Sequence, residues 1–210
     1  MKIGIIGSGN VGGTLGTRWA QTGHTVTFGT RKPESAEMKE LMERAGTTAR
    51  AASSLEAAHS SDVLLLATPW EATREIVESL GDLTGKVLVD AVNPLLPDLS
   101  GLAVEPTTSA GELVAQWARG ARVVKCFNTV GKNVMANPKF GSQRAVMFYC
   151  GDDAAAKGTV TELAEELGFD AVDAGPLKQA RVLEHFAMLW VSMAYVAGFG
   201  HEIAFQFLRR

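Results

Sequence analysis

Lys2-Ile3-Gly4-Ile5-Ile6-Gly7-Ser8-Gly9-Asn10-Val11-Gly12 contains the strongest indication of the fold in this sequence. Lys2–Ile6 is a short apolar run of the kind that forms a buried parallel strand, and glycines spaced G-x-G-x-x-G follow it directly. Apolar residues then recur at intervals of three and four over Asn10–Gln21, which predicts a helix that ends before Gly23. Residues 24–29 are typical of a second strand. Together these segments form one βαβ unit, the context that gives the glycine pattern its meaning.

The glycines predict a binding site for the pyrophosphate of a dinucleotide. Gly7 permits the tight turn out of the strand, Gly9 lets the backbone approach the phosphates, and Gly12 lets the helix pack closely on the sheet. The phosphates would lie at the helix N-terminus, where free N–H groups and the helix dipole favour an anion. A tight glycine turn without a ligand is the alternative. The residues assigned to this site are Gly7, Ser8, Gly9, Asn10, Val11 and Gly12.

The end of the second strand favours NADP over NAD. An NAD site has a carboxylate about 20 residues beyond the glycines, where it binds the ribose 2′-hydroxyl. Here the sequence is Thr30-Arg31-Lys32-Pro33-Glu34-Ser35, and the Arg31 guanidinium can bind a 2′-phosphate through two parallel hydrogen bonds. A solvated basic turn is the alternative, and Glu34 leaves dual specificity open. The residues assigned to the 2′-phosphate are Thr30, Arg31, Lys32 and Ser35.

Three further turns follow predicted strands, at the edge where ligands of an open α/β sheet bind. They contain Thr68, Pro69 and Trp70, then Asn93 and Pro94, and then Asn128. Their neutral hydrogen-bonding groups suit the amide and ribose of the nicotinamide half of the cofactor. Each could instead be an ordinary turn, because Thr-Pro and Asn-Pro favour turns without any ligand.

Strands and helices alternate through residues 1–175, which predicts an α/β fold with a Rossmann-type, doubly wound, mostly parallel sheet that binds NADP. Residues 176–210 are expected to form a C-terminal apolar helical segment, interrupted at 198–200 and resuming to Leu208. So much apolar surface on a terminal helix needs cover, from the domain or from a second subunit. A homodimer is the simpler hypothesis.

Composition argues against several classes of function. A net charge of −3 without a basic stripe argues against a nucleic-acid partner. The longest apolar stretch, residues 186–199, is too short to span a bilayer, and the N-terminus lacks a signal-peptide pattern. We therefore expect no membrane partner and a cytoplasmic location. Cys126 and Cys150 both lie in apolar runs and are expected to be reduced core residues, so no metal site is predicted.

As a set, the motifs resemble the F420-dependent NADP oxidoreductases. The resemblance implies reversible hydride transfer between NADPH and coenzyme F420, with a flavin-like acceptor as a variant. It also implies that residues 8–11 hold the pyrophosphate, that Thr30, Arg31 and Ser35 hold the 2′-phosphate, and that Pro69 borders the nicotinamide. The resemblance rests on residues 7–12, 30–32, 68–71, 150–153 and 173–177, and it extends to the regions around Leu183-Glu184 and Phe199-Gly200.

No side chain is predicted to be catalytic, because hydride transfer between two cofactor rings needs positioning more than a proton donor. A reductase of a small carbonyl or imine substrate would need such a donor. No histidine lies at the carboxyl end of a predicted strand, and His185 and His201 are the ones to test. Residues 127–129 also resemble the cytosolic domain of membrane ferric reductases, which passes hydride to a flavin. A non-catalytic NADP-binding regulator also stays open, and Lys125 is expected to be solvated or paired within its strand.

Overall fold

The first part of the chain alternates strands and helices, and serine side chains fix where several of the helices begin. The computed structural model describes residues 1–210. Ser35, Ser53 and Ser109 each accept a hydrogen bond from the backbone N–H three residues later, which satisfies a free donor of the first helical turn. In order, the elements are β1 (Lys2–Ile6), α1 (Asn10–Gln21), β2 (Thr25–Gly29), α2 (Ala36–Ala45), β3 (Ala49–Ala52), α3 (Ser54–His59), β4 (Val63–Leu66), α4 (Trp70–Ser79), β5 (Val87–Asp90), α5 (Ala110–Trp117) and β6 (Arg122–Lys125).

The second part of the chain contains two short features that the sequence pattern did not predict, namely one short helix and one small hairpin. Neither is long enough to show a hydrophobic period. A 3₁₀ turn at Leu177–Gln179 precedes the last helix, and a π-helical turn at Ser192–Val196 follows it. The elements are α6 (Lys132–Ala136), β7 (Lys139–Phe140), β8 (Gln143–Arg144), β9 (Val146–Gly151), α7 (Ala154–Glu166), β10 (Asp170–Asp173) and α8 (Ala180–Val191).

Eight strands form the main sheet, in the order β3-β2-β1-β4-β5-β6-β9-β10. The first six are parallel, β9 is antiparallel to β6, and β10 is parallel to β9. The predicted doubly wound, mostly parallel sheet is therefore confirmed. The strand order reverses between β1 and β4, and ligands of such sheets bind at the carboxyl ends beside that reversal.

Apolar side chains cover both faces of the sheet. Along β4, Val63 and Leu65 belong to one buried cluster, while Leu64 and Leu66 belong to the other. Successive side chains of a strand point to opposite faces, so a continuous apolar run is what a strand buried on both sides needs. The sheet is consequently rigid where its strand ends support the site.

The C-terminal segment differs from the predicted helix. Helical structure ends with the turn at Ser192–Val196, and the prediction that it resumes to Leu208 is wrong. The Phe205 carbonyl instead accepts the Val146 N–H of β9 at 2.9 Å, and its ring packs against Phe186 at 4.6 Å between centroids. Apolar residues that suggested a helix thus serve as packing contacts of a non-helical segment. The division of the chain at residue 175 stays a prediction.

Candidate functional site

The turn between β1 and α1 is shaped by two glycines that have no room for a side chain. Gly7 has a φ of 100°, and a Cβ there would overlap the Ala67 carbonyl oxygen. A Cβ on Gly12 would overlap the carbonyl oxygen of Gly7. A Cβ on Gly9 would meet nothing within 4 Å, so the backbone is open to a ligand on that side. No side chain caps α1 and its first turn holds no acidic residue, which leaves its N-terminal N–H groups free for an anion.

A polar cavity of about 820 Å³ lies beyond the ends of β1, β2 and β4. Arg31 lines it, is exposed, and forms no ion pair with a carboxylate of the chain. An unpaired guanidinium beside a glycine turn is suited to bind a phosphate. The predicted site residues that the structure brings together here are Gly7, Ser8, Thr30, Arg31, Thr68 and Pro69.

Five predicted site residues line none of the main cavities. Gly12 packs against the Gly7 carbonyl oxygen, and each of the other four has a local contact. Ser35 Oγ accepts the Met38 N–H at 3.3 Å and so caps α2. The Trp70 ring packs against Trp117, with 5.6 Å between the centroids. The Lys32 backbone N–H donates to Thr30 Oγ1, and the Pro94 carbonyl accepts the Ala103 N–H. These contacts stabilise the helices and turns around the site. They involve Ser35, Trp70, Lys32 and Pro94.

An apolar cavity of about 420 Å³ adjoins the other side of the glycine turn, beyond the ends of β5 and β6. Asn10 and Val11 at the start of α1 line it, which places it next to the polar cavity along the same turn. Its remaining walls come from the turns after β5 and β6, from α8 and from the C-terminal segment. They consist of Asn93, Leu95, Leu99, Asn128, Val130, Gly131, Lys132, Asn133, Ala187, Trp190, Val191, Tyr195 and His201.

Asn93 and Asn128 form a hydrogen-bonded amide pair at this cavity. Asn93 Nδ2 donates to the Asn128 carbonyl at 2.7 Å, and Asn128 Nδ2 donates to Asn93 Oδ1 at 3.0 Å and to the Leu183 carbonyl at 3.3 Å. Asn128 is 4% exposed, yet its Oδ1 has no partner. An unsatisfied buried acceptor costs about 1–3 kcal/mol, so a donor from outside the chain would be favourable at this oxygen.

Phe127 fixes the turn that carries the amide pair. Its φ is 60°, a conformation that costs a non-glycine residue about 1–3 kcal/mol. The fully buried ring is held in edge contacts, 5.6 Å from Trp19 and 6.1 Å from Phe169 between centroids. The ring anchors the turn so that Asn128 lies at the cavity. Nothing in the sequence signals this strained conformation at an aromatic residue.

A buried charge cluster of Asp90, Lys125 and Glu184 lies beneath the apolar cavity. Lys125 Nζ is 2.9 Å from Asp90 Oδ2 and 2.8 Å from Glu184 Oε1, and all three side chains are at most 1% exposed. Burial opposes the charge of Lys125, but the two carboxylates outweigh it and raise the lysine pKa above its usual value. Lys125 is thus paired. The sequence contains one indication of this ion pair, because Asp90 and Lys125 are opposite charges at the ends of two apolar strands.

Two further residues at the apolar cavity bear on its chemistry. Lys132 Nζ donates to Asn10 Oδ1 at 3.3 Å, beside the N-terminus of α1, and sequence analysis missed it because α6 was not predicted. His201 lines the cavity with its ring 4.7 Å from that of Tyr195. His185 lines no cavity, and its Nδ1 instead contacts the Arg181 carbonyl oxygen at 2.7 Å.

The chain is similar to known oxidoreductases in sequence and in structure. Residues 2–94 match the family model described as "NADP oxidoreductase coenzyme F420-dependent". The chain is 31% identical over 207 residues to an F420-dependent NADP reductase of Methanothermobacter marburgensis, covering 92% of each sequence. It is 32% identical over 184 residues to the metalloreductase STEAP3 of Rattus norvegicus, but spans only 36% of that protein's length. A crystal structure from Arthrobacter sp. FB24, of a chain with a proposed F420-dependent NADP-reductase activity, is 30% identical with full coverage of both chains and a TM-score of 0.89.

Proposed function

The chain belongs to the family of coenzyme F420-dependent NADP oxidoreductases, and from this premise we propose that it transfers hydride between NADPH and F420 or a flavin-like acceptor. One observation supports the proposal above all others. The glycine turn separates a polar cavity that contains an unpaired arginine from an apolar cavity with two aromatic walls, Trp190 and Tyr195. A dinucleotide lying across the turn would place its phosphates in the first and its nicotinamide at the second.

The residues of the two cavities fit NADP both at its phosphates and at its nicotinamide. In this proposal Arg31 binds the 2′-phosphate, and the free N–H groups of α1 bind the pyrophosphate, with Lys132 beside them as a further cation. At the far end, the amide pair offers the unpaired Asn128 Oδ1 as acceptor and the second N–H of Asn93 as donor. These two groups complement a carboxamide, which carries one N–H₂ and one C=O.

The chain's own contribution to the reaction is binding, orientation and exclusion of water. NADPH supplies the hydride. Trp190 and Tyr195 offer flat apolar walls against which a planar acceptor ring can lie, and Val11 and Val130 exclude water from the same space. Holding the two rings in contact is the main catalytic requirement of such a transfer.

His201 supports a second candidate, reduction of a small carbonyl or imine substrate. Its ring lines the apolar cavity, where an imidazole could donate the proton that such a reduction consumes. Transfer from one cofactor ring to another does not require this proton donor. Substitution of His201 therefore separates the two candidates.

The experiment is a turnover panel, in which NADPH oxidation is measured with F420, FMN and a cyclic imine for the wild-type protein and for His201→Ala. The proposal predicts turnover with F420 or FMN that changes less than threefold in the variant. Turnover with the imine alone, abolished by His201→Ala, would favour the second candidate. NADPH binding without turnover on any acceptor would indicate a regulator. His185→Ala is the matched control, because that histidine lines no cavity.

We also propose that the protein is a homodimer. Several apolar side chains of α8 and the segment after it are exposed, among them Leu189 at 47%, Val196 at 79% and Phe199 at 63%. A second copy of the same surface would cover them. No helix of the chain has both the length and the hydrophobicity needed to cross a membrane. The cytoplasmic location and the absence of a nucleic-acid partner stay predictions.

A further inference from the structure

We propose that the buried charge cluster of Asp90, Lys125 and Glu184 is a positioning group, which holds the amide pair of Asn93 and Asn128 in the geometry that hydride transfer needs. The proposal rests on the proposed function, because it assumes that the amide pair faces the reacting rings. The three charges come from three different elements, β5, β6 and α8. Asp90 precedes Asn93 and Lys125 precedes Asn128 by three residues, while Glu184 follows Leu183, whose carbonyl binds Asn128.

The cluster joins the ends of two neighbouring strands. Ile6, Leu66, Asp90 and Lys125 are the last residues of β1, β4, β5 and β6, and the parallel register aligns them side by side. Asp90 and Lys125 are therefore direct cross-strand neighbours. Lys125 Nζ donates to Asp90 Oδ2, to the Val92 carbonyl and towards Glu184 Oε1, so every N–H of its ammonium group has an acceptor.

Each member of the cluster fixes one part of the amide pair. Asp90 Oδ1 accepts the Val92 N–H at 2.9 Å, and Val92 directly precedes Asn93. Lys125 also binds the Val92 carbonyl, so both polar groups of that residue's backbone are held. Glu184 follows Leu183, whose carbonyl accepts Asn128 Nδ2. Movement at any of the three charges would shift at least one hydrogen bond of the pair.

Helix α5 stabilises the second carboxylate of the cluster. Glu184 Oε2 accepts the Ala110 N–H at 3.0 Å and Oε1 accepts the Gly111 N–H at 3.1 Å, at the N-terminus of that helix. Gly111 permits this approach, since a Cβ there would lie 2.9 Å from the Ala180 Cβ of α8. The two carboxylates thus face one ammonium group and one helix N-terminus, which balances their charge.

Positioning explains why charges occupy this place. Apolar side chains of similar volume would often give a protein at least as stable as a buried ion pair does, because burying charge is costly. Hydrogen-bonded charges, in contrast, allow one arrangement of the groups around them. The cluster holds the backbone beside the amide pair, and the amide pair in turn lines the apolar cavity.

Glu184→Gln and Asp90→Asn test the proposal, because each keeps the side-chain size and leaves Lys125 paired with the other carboxylate. We expect the single-turnover rate of hydride transfer from NADPH to fall about 10- to 100-fold in both, the scale expected of a misplacement near 1 Å. We expect the Kd for NADPH to rise by a smaller factor than the hydride-transfer rate falls, because only the carboxamide contacts change while the glycine turn and Arg31 are untouched. The second measurement is the NMR spectrum of the Asn93 and Asn128 side-chain N–H₂ groups, whose signals should shift or broaden in both variants.

Glu112→Gln is the matched control. The Glu112 carboxylate binds Arg181 through two contacts of 2.7 Å and so joins α5 to α8, as the cluster does, but away from the cavity. We expect a lower melting temperature with unchanged hydride transfer and unchanged Asn93 and Asn128 signals. If Glu184→Gln and Asp90→Asn behave like this control, the cluster is only structural and the proposal is wrong. It is also wrong if both lose NADPH binding as much as hydride transfer.

The NMR reading separates this proposal from the proposed function. A wild-type protein that reduces neither F420 nor FMN would contradict the proposed function. The effect of Glu184→Gln and Asp90→Asn on the Asn93 and Asn128 signals would still show whether the cluster positions the pair. Unchanged signals in both variants would overturn the positioning role, whatever the acceptor is.

Discussion

Arg31 is the residue whose contribution can be measured most simply, because its guanidinium lines the polar cavity without an ion-pair partner. Arg31→Ala should weaken NADPH binding by about 1.5–3 kcal/mol, the free energy of a charge-assisted hydrogen bond. That corresponds to roughly a 10- to 150-fold higher Kd. Binding of NADH should change less than twofold, because NADH lacks the 2′-phosphate. Calorimetric titration with both nucleotides measures the difference.

Lys32→Ala is the control for Arg31→Ala. Both cations were predicted from the sequence to bind the 2′-phosphate, but Lys32 does not line the polar cavity that contains Arg31. Its loss should change NADPH affinity less than threefold. An equal loss of NADPH and NADH binding in Arg31→Ala would show that Arg31 supports the fold rather than binding the 2′-phosphate.

The two cysteines should be inert in the folded protein. Burial raises the pKa of the Cys150 thiol to about 12, and burial also raises that of Cys126 well above its usual value. At pH 8 neither thiol should react with a disulfide reagent until the protein is unfolded, after which both should react. A thiol that reacts in the native protein would contradict the burial of Cys126 and Cys150.

The same shifts give the pH dependence of stability. In the unfolded protein the two thiols ionise at a pH of about 8.5, whereas in the folded protein they stay protonated. Above that pH the unfolded state therefore binds fewer protons than the folded state. These groups therefore lower the free energy of unfolding as the pH rises from about 8.5 towards 12. Replacing both cysteines by Ala should make urea midpoints less dependent on pH in this range.

Among the elements, α5 depends on one buried cap. Ser109 is fully buried, its Oγ accepts the Glu112 N–H at 3.1 Å, and it donates to Glu112 Oε2 at 2.7 Å. Ser109→Ala should lower the free energy of unfolding by about 1–2 kcal/mol, measured by urea denaturation. Ser53→Ala, at the short helix α3, is the comparison at a more exposed cap. A change below about 0.3 kcal/mol at Ser109 would contradict the role of this cap.

Elements with a strong local pattern could be predicted from sequence, and elements made by long-range contacts could not. β1, α1 and β5 have the bounds that the apolar periodicity indicates, because burial on a sheet requires that pattern. The C-terminal segment is apolar without being helical, since Phe205 packs on Phe186 and binds β9. Local propensity contains no information about such contacts.

The same distinction applies to the site. The glycine turn and Arg31 lie in the first βαβ unit and follow β1 and β2, so their roles could be predicted from one short part of the sequence. Lys132 approaches Asn10 from 122 residues away, and the charge cluster joins three distant segments. The conformation of Phe127 depends on rings that surround it in the fold. These three features could be identified only from the structure.

At the scale of the whole molecule, the exposed apolar surface of the C-terminal segment predicts a homodimer. The wild-type protein should sediment as a dimer at micromolar concentration. Val196→Glu should shift it to the monomer, because a charge placed at a covered apolar site is costly to bury. Leu55→Glu is the control, since Leu55 is also an exposed apolar residue but lies on α3, away from the C-terminal segment. A wild-type monomer at this concentration would contradict the prediction.

Hydride should pass directly from NADPH at the glycine turn to an acceptor ring in the apolar cavity. The most direct test uses NADPH doubly deuterated at C4 with F420 as acceptor, in ordinary water, followed by mass spectrometry of the reduced product. We predict one carbon-bound deuterium per reduced F420, and no carbon-bound deuterium when unlabelled NADPH reacts in heavy water. Deuterium from the solvent in place of the label, or no reduction of F420 despite tight binding of NADPH, would contradict the account.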